Sequence, residues 1–150
     1  MQYQISKAKI EDVKQVAVLF DKYRQFYEQK GDVSLAEHFI RSRIYDDSTL
    51  IFLAKNEEGE LGGFCQVFPT FSSLLAKKVF VLNDVFVAHN HRRKGIAKAL
   101  TSKVISMARI EGVNRVELKT HHDNLIAKNL YEGLGFKCDD QFLSYEREII

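Results

Sequence analysis

The segment FVAHNHRRKGIAKAL, residues 86–100, constrains the fold more than any other stretch of the chain. An apolar run ends at Val87, a basic cluster follows at His91, Arg92, Arg93 and Lys94, and Gly95 opens a stretch of helical period. A strand must therefore pass into a helix through one short basic loop. The next strand pattern, RVELKT at residues 115–120, comes only after that helix. Strand, helix and strand in this order make a βαβ unit over residues 78–120, with parallel strands and a right-handed crossover. A chain of 150 residues suits one domain, 1–150, with one core.

The remaining elements arrange themselves around this unit. Residues 2–8 alternate weakly, as an edge strand does. Ile10, Val13, Val16, Ala17, Phe20, Tyr23 and Phe26 recur at three and four residues, predicting an amphipathic helix that Gly31 ends. Ser34 with Glu37 reads as a capping box opening a second helix, with Leu35, Phe39, Ile40 and Ile44 inward. Residues 49–55 and 61–70 form a hairpin around the turn NEEGE, and Pro69 marks its end. FSSLLA, residues 71–76, leads to the strong strand 78–87. The helix over 95–112 turns Ala97, Leu100, Val104 and Met107 inward. A shorter helix over 124–134 is capped by Gly135, and strands at 136–138 and 142–147 complete the sheet. The fold class is mixed α/β (α+β): a mostly antiparallel central sheet with one parallel, splayed strand pair and flanking helices.

Charge and cysteine usage exclude several functions. The formal net charge is +2, so no global field draws the chain to nucleic acid or to a membrane surface. No apolar stretch approaches the roughly 20 residues that span a bilayer. The start MQYQISKAKIEDV lacks the basic and apolar regions of a signal peptide, so the expected location is cytoplasmic. Cys65 and Cys138 sit in apolar strand-like stretches without ligand spacing. Both are expected to be buried, reduced thiols, and no metal is expected.

The basic loop has a specific physical capacity. A helix N-terminus carries unpaired N–H groups and a partial positive charge. Gly95 lacks the Cβ that would keep a phosphate from the backbone, and Ala97 is nearly as small. The loop has neither the GK[ST] of a P-loop nor GxGxxG. Spacing alone leaves two readings open, a diphosphate cradle or a solvated basic turn. Downstream, Ala127, Tyr131 and Gly135 fall at i, i+4 and i+8 behind Asn124. Tyr131 is then either a core aromatic or a phenol presented for chemistry.

In this order and at this distance, the two features resemble the GCN5-related N-acetyltransferase (GNAT) superfamily. LNDVFVAHNHRRKGIAKAL is similar to its central strand, pyrophosphate loop and helix, and NLIAKNLYEGLGF to its asparagine-to-tyrosine helix and Gly-Phe. YRQFYEQ, LNDVFV and YERE resemble small polyamine/histone-type amine acetyltransferases. One departure is Arg93, where the loop usually has glycine.

The resemblance implies an acyl-CoA-dependent N-acetyltransferase that passes the acetyl group of acetyl-CoA directly to a primary amine. It implies that Val85, Phe86 and Val87 pair with pantetheine or donate to the oxyanion. It places the diphosphate on Arg92, Arg93, Lys94, Gly95, Ile96, Ala97 and Lys98, with Asn124 near the pantetheine or thioester. Tyr131 is the implied general acid. Asp84 is either the base or a strand carboxylate paired with a lysine or arginine. Tyr27, Glu28 and His121 are the implied substrate-binding residues; His121 and His122 read as loop or substrate-wall residues, or as a relay through water, and Tyr23, Phe26, Asp32 and residues 68–73 wall the acceptor side, unless Glu28 and Asp32 are only a solvated helix end. A homodimer through residues 142–150 is a further expectation. A non-catalytic acyl-CoA-binding module would keep the cradle and lack the acid.

Overall fold

The computed structural model describes residues 2–150. The chain divides into two compact units, one reaching to Lys119 and one spanning Thr120–Ile150.

The first unit is a five-stranded sheet in the order β1 (Tyr3–Lys7), β2 (Leu50–Asn56), β3 (Leu61–Ser72), β4 (Lys77–Val87) and β5 (Val116–Leu118). The first four strands pair antiparallel, and β4 pairs parallel with β5. Both faces of the sheet are covered. Helix α3 (Ile96–Glu111) sends Ile96, Leu100, Val104 and Ala108 into one core with Phe52, Cys65, Val67, Phe80 and Leu82. On the other face lie helices α1 (Val13–Phe26) and α2 (Val33–Tyr45). There Val16, Ala17, Phe20, Ala36 and Ile40 pack with Ile51, Leu53 and Phe64.

Several boundaries differ from the expected ones, each for a local reason. The first helix begins with a 3-10 turn at Ile10–Asp12 and ends at Phe26, well before Gly31. Glu28 stops it by taking a left-handed φ of 67°. Asp32, and not Ser34, caps α2: its Oδ1 accepts from the Leu35 amide at 3.1 Å, and Leu35 is exposed. Strand β3 continues past Pro69, which stands opposite Phe80. The pairing of β2 with β3 stops at Leu50–Val67, so from there β3 has only β4 beside it. The missing N–H of Pro69 then disrupts no second ladder. In α3 the inward positions are Ile96, Leu100, Thr101, Val104 and Ala108, whereas Ala97 and Met107 are only partly buried.

The second unit contains helix α4 (Leu125–Gly133). Residues 136–138 and 142–147 form no strand, so the sheet lacks the two closing strands expected. Phe142, Leu143, Tyr145, Ile149 and Ile150 are all largely exposed. A strand needs a partner for its backbone groups, and the alternation of apolar residues here supplies none within the segment. Cys138 is exposed as well, contrary to the expected buried thiol, because its strand does not form.

Candidate active site

Strand β4 carries the site. Its pairing with β3 slips between Gln66 and Val67: Gln66 faces Asp84, while Val67 faces Leu82. Asn83 is thus an extra residue, a bulge in β4. The bulge inverts side-chain parity along the strand. Before it, Phe80 and Leu82 face the α3 core; after it, Val85 and Val87 do. Asp84, Phe86 and Ala88 consequently belong to the opposite face, where Phe86 and Ala88 pack against the α1 and α2 core. The register of β4 with β5 covers only Phe80–Val116, Val81–Glu117 and Leu82–Leu118. Past the bulge, β5 no longer accompanies β4, and the edge over residues 83–87 is open on that side.

Asp84 is 3% exposed and accepts three hydrogen bonds. Tyr23 Oη donates to Oδ1 at 2.8 Å, Asn83 Nδ2 donates to the same oxygen at 2.8 Å, and Gln66 Nε2 donates to Oδ2. Gln66 is itself oriented by Thr49, whose hydroxyl donates to Gln66 Oε1 at 2.8 Å. No lysine or arginine contacts this carboxylate among the described residues, so Asp84 is not the ion-paired strand residue of the alternative reading. Burial, then the charge of Asp84 and the bond to it, push the Tyr23 phenol far above the usual tyrosine range. Tyr23 is therefore a neutral donor at any physiological pH.

Aromatic rings cluster at the end of α1. Tyr23, Phe26, Tyr27 and Phe86 form a chain of contacts with centroids 5.1–6.1 Å apart. Phe26 and Tyr27 are more than half exposed, so the wall opens outward. Glu28 is exposed beside it. Asp32 is committed elsewhere, as the cap of α2.

The loop from β4 to α3 has the geometry of an anion cradle. His89–His91 form one 3-10 turn. Arg93 follows with φ 63° and Gly95 with φ 78°, both left-handed. Gly95 is the residue before the first turn of α3, and a Cβ placed on it would meet nothing within 4 Å. The space in front of the α3 N-terminus is thus open, and Arg93, Lys94 and Lys98 around it are exposed. These features fit a diphosphate: free N–H groups, room at the backbone and positive charge. Arg92 is partly engaged, since its Nε donates to the Val87 carbonyl at 3.2 Å and its guanidinium lies 5.8 Å from the Phe86 ring centre.

Two supports of this loop were not legible as functional positions. Gly63 allows α3 to press against β3: a Cβ there would lie 2.8 Å from Ile96 Cγ2 and 3.0 Å from the Phe86 carbonyl oxygen. The second is the bond of 2.7 Å between Tyr3 Oη and His91 Nδ1, which ties the loop to β1. The only hint in the sequence is the double glycine inside an otherwise apolar strand.

In the second unit, Asn124 caps α4: its Oδ1 accepts from the Ala127 amide at 3.1 Å. That leaves its NH2 group for any ligand. Tyr131 lies on the last turns of α4 with its ring edge-on to Phe136 at 5.7 Å, and its carbonyl accepts from the Phe136 amide at 3.0 Å. His121, His122 and Asp123 are exposed and stand together, with the two imidazole rings stacked at 4.6 Å. The structure thus groups Asp84, residues 85–87, the loop 92–98, Tyr27 and Glu28 in one unit, and Asn124, Tyr131 and His121 in the other.

Comparison with known proteins identifies the family and the fold. The N-acetyltransferase YhfO of Bacillus subtilis (strain 168), itself uncharacterized, is 39% identical over 141 residues, covering 94% of each chain. The L-ornithine N5-acetyltransferase NATA1 of Arabidopsis thaliana is 40% identical over 75 residues, which are 50% of this chain and 33% of that protein. A crystal structure of a probable acetyltransferase superposes with a TM-score of 0.91 at 36% identity, covering 98% of both chains. Residues 16–136 match the Acetyltransferase (GNAT) family. The chain belongs to that family, and it is an acyl-CoA-dependent N-acetyltransferase.

Proposed function

We propose that this chain acts as one acetyltransferase domain that transfers an acetyl group from acetyl-CoA directly to a primary amine. The observation that carries the reading is the open edge of β4 over residues 83–87, which leads straight to the α3 N-terminus behind Gly95. An extended pantetheine arm can lie on such an edge as an added strand does. The loop residues Arg92, Arg93, Lys94, Gly95, Ile96, Ala97 and Lys98 then hold the diphosphate, and Asn124 binds nearer the thioester. Acetyl-CoA supplies an acyl group already activated as a thioester.

The residues of the chain supply the rest. The amide of Val85 or Phe86 is the donor to the developing oxyanion. Tyr131 is the general acid for the departing sulfur, a task suited to a neutral phenol. Asp84 is the base that relieves the acceptor of its proton. No serine or cysteine is paired with a base among the groups around Asp84, which supports direct attack without an acyl-enzyme. Cys65 is buried, and burial pushes its thiol up to about 12.

The acceptor is a small polyamine-like amine or a protein amine. The outward-facing rings of Phe26 and Tyr27 suit a cation, and Glu28 adds a carboxylate beside them. His121 is a further wall residue. The ornithine acetyltransferase among the relatives acts on a primary alkylamine, which supports this class.

Thiol release with acetyl-CoA, run against an amine panel, tests the proposal. Turnover is expected with at least one primary amine, and Tyr131→Phe is expected to lower kcat by about 10²-fold. Binding of acetyl-CoA without turnover on any amine would instead favour a regulatory module. Gly95→Val is expected to weaken acetyl-CoA binding at least tenfold; unchanged affinity would remove the cradle.

We also propose that residues 142–150 are covered by a second copy of the chain. Five largely exposed apolar side chains in a segment without helix or strand are a surface that a homodimer would bury. Light scattering at micromolar concentration should give twice the chain mass. A monomer there would overturn the homodimer.

A further inference from the structure

Asp84 has no route of its own to a substrate. It is 3% exposed, and both carboxylate oxygens are covered by donors. Oδ2 faces Gln66, which is 1% exposed and locked by Thr49. Oδ1 faces Asn83 and Tyr23. Two of these three partners are amides, which donate hydrogen bonds but do not pass protons on. The third is a hydroxyl, which can accept a proton on one side while releasing its own on the other. Gln66 is buried, Asn83 is exposed and Tyr23 is partly buried, so of the two partners that reach outward only Tyr23 carries a hydroxyl. Its ring touches Tyr27 at 5.2 Å and Phe86 at 5.8 Å, and Tyr27 is half exposed at the open aromatic wall.

We propose that Tyr23 is a catalytic residue: its hydroxyl takes the proton from the acceptor nitrogen and passes its own proton to Asp84 Oδ1 in the same step. The inference rests on the reading of Asp84 as the base. One N–H bond of the acceptor breaks and one O–H bond forms at Tyr23. The original Tyr23 O–H breaks and an O–H forms at Asp84. Tyrosine is neutral before and after, Asp84 changes from carboxylate to carboxylic acid, and no electron is gained or lost overall. The reverse transfer, to solvent after product leaves, resets the pair. The strong resistance of Tyr23 to ionisation agrees with a path on which no tyrosinate forms. Gln66 and Thr49 are positioning residues, which hold Asp84 so that Oδ1 points at Tyr23.

The test is a double-mutant cycle on turnover of the best amine of the panel, with acetyl-CoA affinity measured beside it. Tyr23→Phe keeps the ring and its packing. It is expected to lower kcat on the order of 10²-fold, as Asp84→Asn does, while acetyl-CoA affinity stays unchanged. Because the two residues act as one unit, Tyr23→Phe with Asp84→Asn is expected to be no slower than the slower single variant, within about threefold. Asn83→Ala separates the relay from simple hydrogen bonding, since it removes a donor from the same oxygen. The relay requires Tyr23→Phe to be much the slower of the two. Equal losses in these two variants, multiplicative losses in the cycle, or wild-type kcat in Tyr23→Phe beside an inert Asp84→Asn would each overturn it. That last result would leave Asp84 as the base. A wild type that turns over no amine removes the acetyl-transfer reading and the relay together.

Discussion

Tyr23 on α1 donates a 2.8 Å hydrogen bond to Asp84 on β4, across 61 positions of sequence. This bond joins α1, with its cluster of rings, to the strand that carries the open edge. It also links stability to pH. A phenol whose pKa is raised in the folded state stabilises the fold fully below its unfolded pKa of about 10 and loses that contribution as pH rises beyond it. Tyr23→Phe should therefore be less stable than wild type at pH 7, by about 1–3 kcal/mol. The gap should narrow above pH ~10, where only the wild type loses the tyrosine contribution. Urea unfolding at the two pH values measures it.

Gly63→Ala should be destabilising even though alanine is a small residue. Its Cβ would press on Ile96 and on the Phe86 backbone at 2.8 and 3.0 Å. A backbone oxygen cannot swing aside as a side-chain end can, so β4 must shift at Phe86 while α3 yields at Ile96. The expected cost is about 1–3 kcal/mol, accompanied by weaker acetyl-CoA binding because the cradle moves with Ile96. Chemical denaturation and calorimetric titration follow the two effects.

Arg93→Gly should raise stability. Arg93 holds φ 63°, a region that costs an L-residue roughly 1–2 kcal/mol and glycine almost nothing. Part of the gain is offset by the greater freedom of glycine in the unfolded chain, which leaves about 0.5–1 kcal/mol. Acetyl-CoA affinity should fall slightly, since one cation leaves the mouth of the loop. A rise in thermal midpoint with a modest rise in Kd is the expected pair of results.

Asp12 gives the fold an acid-sensitive contact. Burial works to raise its pKa, but the hydrogen bond from Lys55 at 2.7 Å, the Lys9 amide and both lysine charges outweigh it, and the net direction is down. A lowered carboxylate pKa contributes stability above its unfolded value, near 4, and loses it as pH falls through the folded value. Asp12→Asn should cost about 1.5–3 kcal/mol at pH 7 and progressively less below pH ~4. Unfolding curves from pH 7 to 3 test the slope.

The two thiols should differ sharply. Cys138 is exposed, whereas Cys65 is buried between the sheet and α3 with its pKa pushed up to about 12. A disulfide reagent at pH 8 should titrate one thiol quickly in the native protein and the second only on unfolding. Cys138→Ser should abolish the fast phase.

The chain's local chemistry fixed much of this in advance. The helical periods of α1 and α3, the hairpin around residues 56–60 and the basic loop ending in Gly95 are each written in a short window, where period and turn residues decide the conformation. The family resemblance was equally local, since its motifs lie within the cradle and α4. The expected strands at 136–138 and 142–147 failed for the complementary reason. Apolar alternation states a preference, but a strand exists only beside a partner.

Asp84 shows what remained for the tertiary structure. Its presence on the central strand was plain, but its direction was not. Counting alternate residues from Leu82 would put Asp84 on the α3 face, among apolar side chains. The extra residue at Asn83 shifts the register against β3 and turns Asp84 to the α1 face, where Tyr23 and Gln66 wait with donors. Register is a property of two strands and not of one, and the cost of burying a carboxylate is met only where the donors are. The sequence by itself determined the basic loop that ends in Gly95, and the pairing of β3 with β4 decided which way its neighbouring carboxylate faces.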